Sequence, residues 1–248
     1  MGGDAMQSWG LTDQGNVRKQ NQDAYRIEQL DWGTQLCVVC DGMGGAKSGN
    51  VASTLAVEVF VEEVRRCWTR GMDQEKIDQM LRSGVKLANF TVYDQSAQFP
   101  EFDGMGTTLV AALVHGKMAT VVNVGDSRAY GIDANGIRQI TRDHSLVQLM
   151  VDRGELQPEA AKTYPGKNYI TRAIGTEPVV MCDIFHLDVK KGDFLLLCSD
   201  GLSNVMDDQE ILFEVVHGVN KKLCCKRLLN IAKNRGAPDN VTSVLILI

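Results

Sequence analysis

The chain lacks a paired set of cysteines, a strongly basic stretch and any long apolar run, and it has little proline. Each lack excludes something. Its 7 cysteines are an odd number with no framework spacing, so a disulfide scaffold is not expected and reduced thiols of a cytosolic protein are. No cysteine is followed by arginine six positions later, which removes the loop used by cysteine-dependent phosphatases. Cys37, Cys40 and Cys198 sit in apolar runs, where a thiol acts as a small hydrophobe. Strand alternation would send Cys37 and Cys40 to opposite faces, which argues against a redox pair. With 5 prolines and no low-complexity tract, disorder is not expected. A net charge of −5 gives no electrostatic reason for a nucleic-acid partner. No run reaches membrane-spanning length, and Met1 to Gln7 is too short and polar for a secretory signal.

What is present fits a folded domain. Hydrophobic residues make up 44% of 248, enough for one large domain or two small ones with a buried core. Leu36 to Cys40 reads as a buried strand running into Asp41. Ser48 to Trp68 has helical periodicity, and Asp73 is a candidate N-cap for a second helix to Gln95. Thr107 to Val114, Lys117 to Val124, Ser127 to Ile132 and Ile137 to Thr141 read as strands joined by tight turns. Residues 145–170 hold a short helix, Leu146 to Arg153, and then a polar segment with Pro158, Pro165 and Gly166, expected to protrude. A strand at Phe194 to Cys198, helices near Asp207 to Val216 and Lys221 to Asn234, and a strand at Val241 to Ile248 close the chain. Tight turns between neighbouring strands predict antiparallel sheets, and paired helices predict an α+β layered fold.

Five aspartates stand beside strands or glycine turns: Asp23, Asp41, Asp126, Asp200 and Asp239. One such aspartate is ordinarily a turn or cap residue. Five together would repel one another, and a divalent cation offsets that most directly. A carboxylate set without histidine or cysteine suits Mg²⁺ or Mn²⁺ rather than Zn²⁺. The glycine-rich stretch Gly42 to Gly49 fits neither G-x-x-x-x-G-K-S/T nor G-x-G-x-x-G. Its glycines instead let the backbone approach an ion, with the Gly42 carbonyl as a ligand.

Eight short motifs follow one another along the chain. They are Thr12 to Arg18 with Asn21-Gln22-Asp23-Ala24, Val39 to Gly45, Gly106-Thr107-Thr108, Val124 to Tyr130, Thr141 to Ser145, Ile170 to Gly175, Leu197 to Leu202, and Pro238 to Thr242. In this order they resemble the metal-dependent type 2C (PPM) Ser/Thr protein phosphatases, especially compact bacterial members. The resemblance implies a single catalytic domain over residues 1–248, built as a four-layer α-β-β-α sandwich of two central antiparallel sheets flanked by helix pairs. Residues 145–170 would be its flap subdomain.

The resemblance also implies roles. Asp41 would bridge two Mn²⁺ or Mg²⁺ ions, with Asp200 and Asp239 on the first and the Gly42 carbonyl on the second. Asp23 would hold metal-bound waters, and Asp126 with Asp200 would form a weaker third site. Arg18 would grip the substrate phosphate. Hydrolysis of phosphoserine and phosphothreonine would follow by direct attack of a metal-bridging water or hydroxide. Met43 and Ala46 stand where relatives carry histidines, so water is the expected proton donor to the leaving alkoxide. His144 reads as structural, and His115, His186 and His217 as ordinary surface or strand residues. The implied partners are cytoplasmic phosphoproteins, including a Ser/Thr kinase of bacterial signalling, met by a monomer. A non-catalytic signalling module would have lost one of the aspartates, and all are present. A phosphodiesterase or nuclease is disfavoured by the acidic balance and the lack of a histidine-rich metal motif.

Overall fold

The computed structural model describes residues 6–161 and 163–248, and of 45–47 the backbone only. The opening glycines and the side chain of Ala46 lie outside the described residues. Eleven strands are present among the described residues: β1 Gln7–Asp13, β2 Asp23–Asp31, β3 Thr34–Met43, β4 Gly106–Thr107, β5 Leu109–His115, β6 Met118–Val124, β7 Arg128–Asp133, β8 Gly136–Gln139, β9 Asp183–Asp188, β10 Phe194–Cys198 and β11 Val241–Leu247. They form two antiparallel sheets. One runs β1-β11-β10-β7-β8, and the other β2-β3-β5-β6-β9 with β4 beside β3.

Strand alternation sorts side chains into three apolar layers. Cys37, Val39, Val110, Ala112, Leu195, Leu197, Val244 and Ile246 meet between the sheets. Their neighbours Leu36, Val38, Cys40, Leu109 and Leu113 face the long helices α1 (Gly45–Cys67) and α2 (Gln74–Gln98). Leu196, Cys198, Tyr130 and Leu245 face the opposite helical layer. That layer holds α5 (Asp200–Ser203), α6 (Asp208–His217) and α7 (Cys224–Asn234). Strands covered on both faces must be apolar at every position, which explains the unbroken run Leu36 to Cys40. Cys37 and Cys40 do face different layers, as the alternation predicted. The result is the expected α-β-β-α order. No helix among the described residues is long and apolar enough to cross a membrane.

Local signals set most boundaries. Asp73 caps α2 by accepting from Lys76 N at 2.9 Å. Asp207 and Glu210 form a reciprocal capping box that opens α6. Several boundaries differ from the sequence reading, and β1, β2, β9 and α5 were not read as elements at all. α1 begins at Gly45 rather than Ser48, so the glycine-rich loop is shorter than expected. α2 continues to Gln98. β3 continues two residues beyond Asp41. The helix expected from Lys221 begins as a 3₁₀ turn, Lys221–Leu223, before α7.

Residues 145–170 leave and return at one point. Their ends pair through the Ser145–Ile170 bridge and through Leu146 N donating to Tyr169 O at 2.8 Å. Between them lie α3 (Leu146–Asp152), capped by Ser145, and the single turn α4 (Pro158–Ala161).

Candidate metal centre

The fold brings the five aspartates to one edge of the sandwich. Asp23 opens β2 and sits opposite Asp41 in the β2–β3 register. Asp126 follows β6, Asp200 follows β10 in the first turn of α5, and Asp239 precedes β11. Asp41, Gly42, Asp126, Asp200, Asp239 and Arg18 line one cleft of about 590 Å³. Asn168 and Ile170 of the 145–170 excursion close its side. Asp23 is buried and is not among the residues lining this cleft.

Backbone packing fixes the cleft floor. A Cβ on Gly42 would fall 2.0 Å from Gly49 O and 2.7 Å from Gln22 O. Only glycine lets β3 pass so close to α1. Asp41 N donates to Thr108 Oγ1 at 2.9 Å, and Asp41 O accepts from Thr108 N and Thr107 Oγ1, each at 2.9 Å. Asn240 anchors the loop that carries Arg18. Its Nδ2 donates to Gln14 O and Gln20 O at 2.8 and 2.9 Å, and its Oδ1 accepts from Gln22 N at 2.8 Å.

Burial, and then mutual repulsion, raises the pKa values of Asp23, Asp41, Asp126 and Asp200. Burial, then the charges of Asp200 and Asp239, lift Asp23 to about 7, although hydroxyls of Thr242 and Ser199 bond its Oδ2 at 2.6 and 2.7 Å. Burial and the Asp23 and Asp200 charges push Asp41 well above the carboxylate range. Asp126 rises to about 8 through burial and the nearby Asp200 charge. Asp200 rises too, through burial and Asp239. Asp23 Oδ1, Asp126 Oδ1 and Asp200 Oδ1 are buried without a hydrogen-bond partner. An orphaned buried carboxylate oxygen is strongly unfavourable. Three at one edge, with no histidine or cysteine among the described lining residues, fit hard divalent cations.

The side chains do not form a finished cage. Among the described residues no group of three or more His, Cys, Asp or Glu is arranged to hold an ion. Asp239 Oδ2 accepts instead from Arg18 Nη2 at 2.7 Å. That bond, with the Asp41 and Asp200 charges, raises the Arg18 pKa. The arginine is half exposed at the rim.

Four residues escaped the sequence reading as parts of this centre: Ser199, Thr242, Asn240 and Thr108. Ser199, Asn240 and Thr242 sit in motifs that carry an aspartate and Thr108 in the Gly106-Thr107-Thr108 motif, which was the only signal available.

The sequence matches the family described as Protein phosphatase 2C over residues 16–228. A serine/threonine phosphatase stp of Listeria welshimeri is 35% identical over 237 residues, covering 95% of this chain and 93% of that protein. The crystal structure of serine/threonine phosphatase Stp1 from Staphylococcus aureus superposes with a TM-score of 0.92 at 38% identity, covering 99% and 96% of the two chains. The catalytic domain of serine threonine protein phosphatase PstP, in complex with 2 manganese ions, superposes at 0.83 with 32% identity over 98% of each chain. With a matched family spanning most of its length, and relatives alike in both sequence and fold, the chain belongs to the protein phosphatase 2C family.

Proposed function

We propose that this chain is a metal-dependent phosphoprotein phosphatase that hydrolyses phosphoserine and phosphothreonine. One observation carries the reading: aspartates from five separate strands meet at one edge, and three of their oxygens are buried without a partner. Two Mn²⁺ or Mg²⁺ ions would supply the missing countercharge, a reading supported by the manganese pair in the PstP complex. In this assignment Asp41 would serve both ions, Asp200 and Asp239 would hold the first, and the Gly42 carbonyl would hold the second. Asp126 with Asp200 would hold a weaker third ion, and Asp23 would orient water beside them. When bound, the ions activate water as the nucleophile and offset charge on the phosphoryl oxygens.

The chain's own residues do the rest. Arg18 exchanges Asp239 for the phosphate, whose oxygens its planar fork can hold two at a time. Met43 has no proton to give the leaving alkoxide, and we assign that role to water. Asn168 and Ile170, on the excursion proposed as the flap, form the side a phosphoprotein must approach. All seven cysteines are free thiols, which suits a reducing cytoplasm. By analogy with the bacterial relatives we place a Ser/Thr kinase among the substrates of a monomeric, single-domain enzyme. The test is hydrolysis of a phosphothreonine peptide with Mn²⁺, with Mg²⁺ and with a chelator. Turnover that requires the ion is expected, and equal turnover in chelator overturns the reading.

A further inference from the structure

His144 is the one histidine buried among the described residues, and the chemistry proposed above does not use it. Its bonds run in three directions. On one side it clasps the turn that carries Asp126. His144 N donates to Gly125 O at 2.9 Å, and His144 Nδ1 accepts from Gly125 N at 3.0 Å. Both polar groups of Gly125 are thus held by one residue. Gly125 has φ +107°, and a Cβ there would lie 2.6 Å from Thr108 Cγ2. The turn is therefore tight and specific to glycine, and its next residue is Asp126.

The second direction is β9. An acceptor at Nδ1 places the ring proton on Nε2. From there it donates to Asp183 Oδ2 at 3.1 Å. Arg172 Nη1 donates to Asp183 Oδ1 at 3.0 Å and lies 3.2 Å from His144 Nε2, which as a donor itself does not accept from it, so Asp183 takes both protons. Burial holds the imidazole below its ordinary range, consistent with this neutral form.

The third direction is the 145–170 excursion. His144 O accepts from Thr171 N at 2.8 Å, next to the Ser145–Ile170 bridge. Ile170 and Asn168, on that returning segment, line the cleft together with Asp126.

We infer that His144 is a positioning residue that sets the Asp126 carboxylate through the Gly125 peptide and ties it to the base of the excursion beside the cleft. An outer partner of this kind typically governs ligand orientation and changes affinity or activity by about 10–100-fold when removed. The inference rests on Asp126 serving the third ion.

Two near-isosteric variants divide the ring's two jobs. The amide of Asn reaches where Nδ1 sits, so His144→Asn keeps an acceptor for Gly125 and loses the Asp183 bond. The amide of Gln reaches where Nε2 sits, so His144→Gln keeps Asp183 and leaves Gly125 N unpaired. Equilibrium dialysis against Mn²⁺ and hydrolysis of a phosphothreonine peptide are measured on both, on Asp126→Asn and on the double variant His144→Gln/Asp126→Asn.

The expected result is that His144→Gln weakens the lowest-affinity Mn²⁺ site and lowers kcat by about tenfold, with KM within about twofold. His144→Asn retains the greater share of both. The double variant is no worse than Asp126→Asn alone, because the two act as one unit. Equal losses in the Gln and Asn variants, or additive losses in the double variant, overturn the inference while leaving the Asp126 assignment intact. Unchanged Mn²⁺ binding in Asp126→Asn overturns that assignment, and this inference with it.

Discussion

Asp126 and Arg128 are two residues apart at the start of β7, and the charges around them are arranged in opposite ways. Arg128 is closed. Its Nε and Nη2 donate to both oxygens of Asp143 at 2.6–3.1 Å, and its Nη1 donates to Tyr130 OH at 3.2 Å. Gln139 Nε2 completes the shell by donating to Asp143 Oδ1 at 2.8 Å. Asp126 is open. Its Oδ1 has no partner, the charge that bears on it most is the like-charged Asp200, and burial with that charge lifts its pKa to about 8. The same edge can therefore satisfy a buried charge fully. That it does so for Arg128 and not for Asp126, Asp200 or Asp23 teaches that the open group is built for something that arrives from outside.

The largest expected effect strikes the open group. Asp41→Ala should lower turnover of an aryl phosphate by about 1000-fold or more, the scale of removing a principal electrostatic stabiliser, while circular dichroism stays native. Near-normal turnover would break the comparison at its root.

Stability against pH comes next, and it reads the open group alone. Asp23 and Asp126 have raised folded values, about 7 and 8, above an ordinary 3.8. The folded state then binds more protons than the unfolded chain between those limits, so stability falls as pH rises through them. In chelator, Tm should drop steadily from pH 5 to pH 8. Mn²⁺ should flatten the curve by holding the carboxylates charged. A flat curve in chelator would falsify the claim that these groups repel.

The closed group should answer only to mutation. Arg128→Met leaves Asp143 uncompensated and should cost about 3 kcal/mol, a Tm loss of about 6–12 °C at this chain length. Arg128→Met/Asp143→Leu should recover most of that loss, since a buried pair is worth little more than an apolar replacement. Metal affinity should stay near wild type in the double variant; a large loss would mean that Arg128 serves the open group too.

Arg18 lies between the two cases, bonded to Asp239 yet half exposed at the rim. Arg18→Ala should raise KM for a phosphopeptide about tenfold, with Mn²⁺ affinity nearly unchanged or slightly improved, because it removes a competitor for Asp239 as well as a phosphate ligand. Unchanged KM would assign the arginine to structure alone.

How much of this was readable in the sequence depends on how local the signal is. Phe194–Cys198 was legible to the residue because a strand covered on both faces must be apolar throughout. Gln7–Asp13 was not, because its residues are half exposed and its partner β11 lies at the far end of the chain. The first turn of α1 was hidden by its glycines, which read as loop. At the site, the aspartates stood out because carboxylates are costly beside apolar strands. The hydroxyls that hold Asp23 did not, since Ser199 and Thr242 look like ordinary strand residues until the fold brings them within 2.7 Å. The Arg18–Asp239 contact spans 221 positions, and no local pattern announces it.

The smallest effect sets the scale for the others. Asp207 caps α6 by accepting from Glu210 N at 2.9 Å, and Glu210 returns the bond to Asp207 N at 3.0 Å. This too is a closed arrangement, but it faces water, and water can replace either bond. Asp207→Ala should therefore cost only about 1 kcal/mol, or about 2–4 °C in Tm, with turnover unaltered. If it cost as much as Arg128→Met, burial would not be what separates strong from weak closed groups, and the orphaned oxygens of the aspartate edge would lose their significance as well.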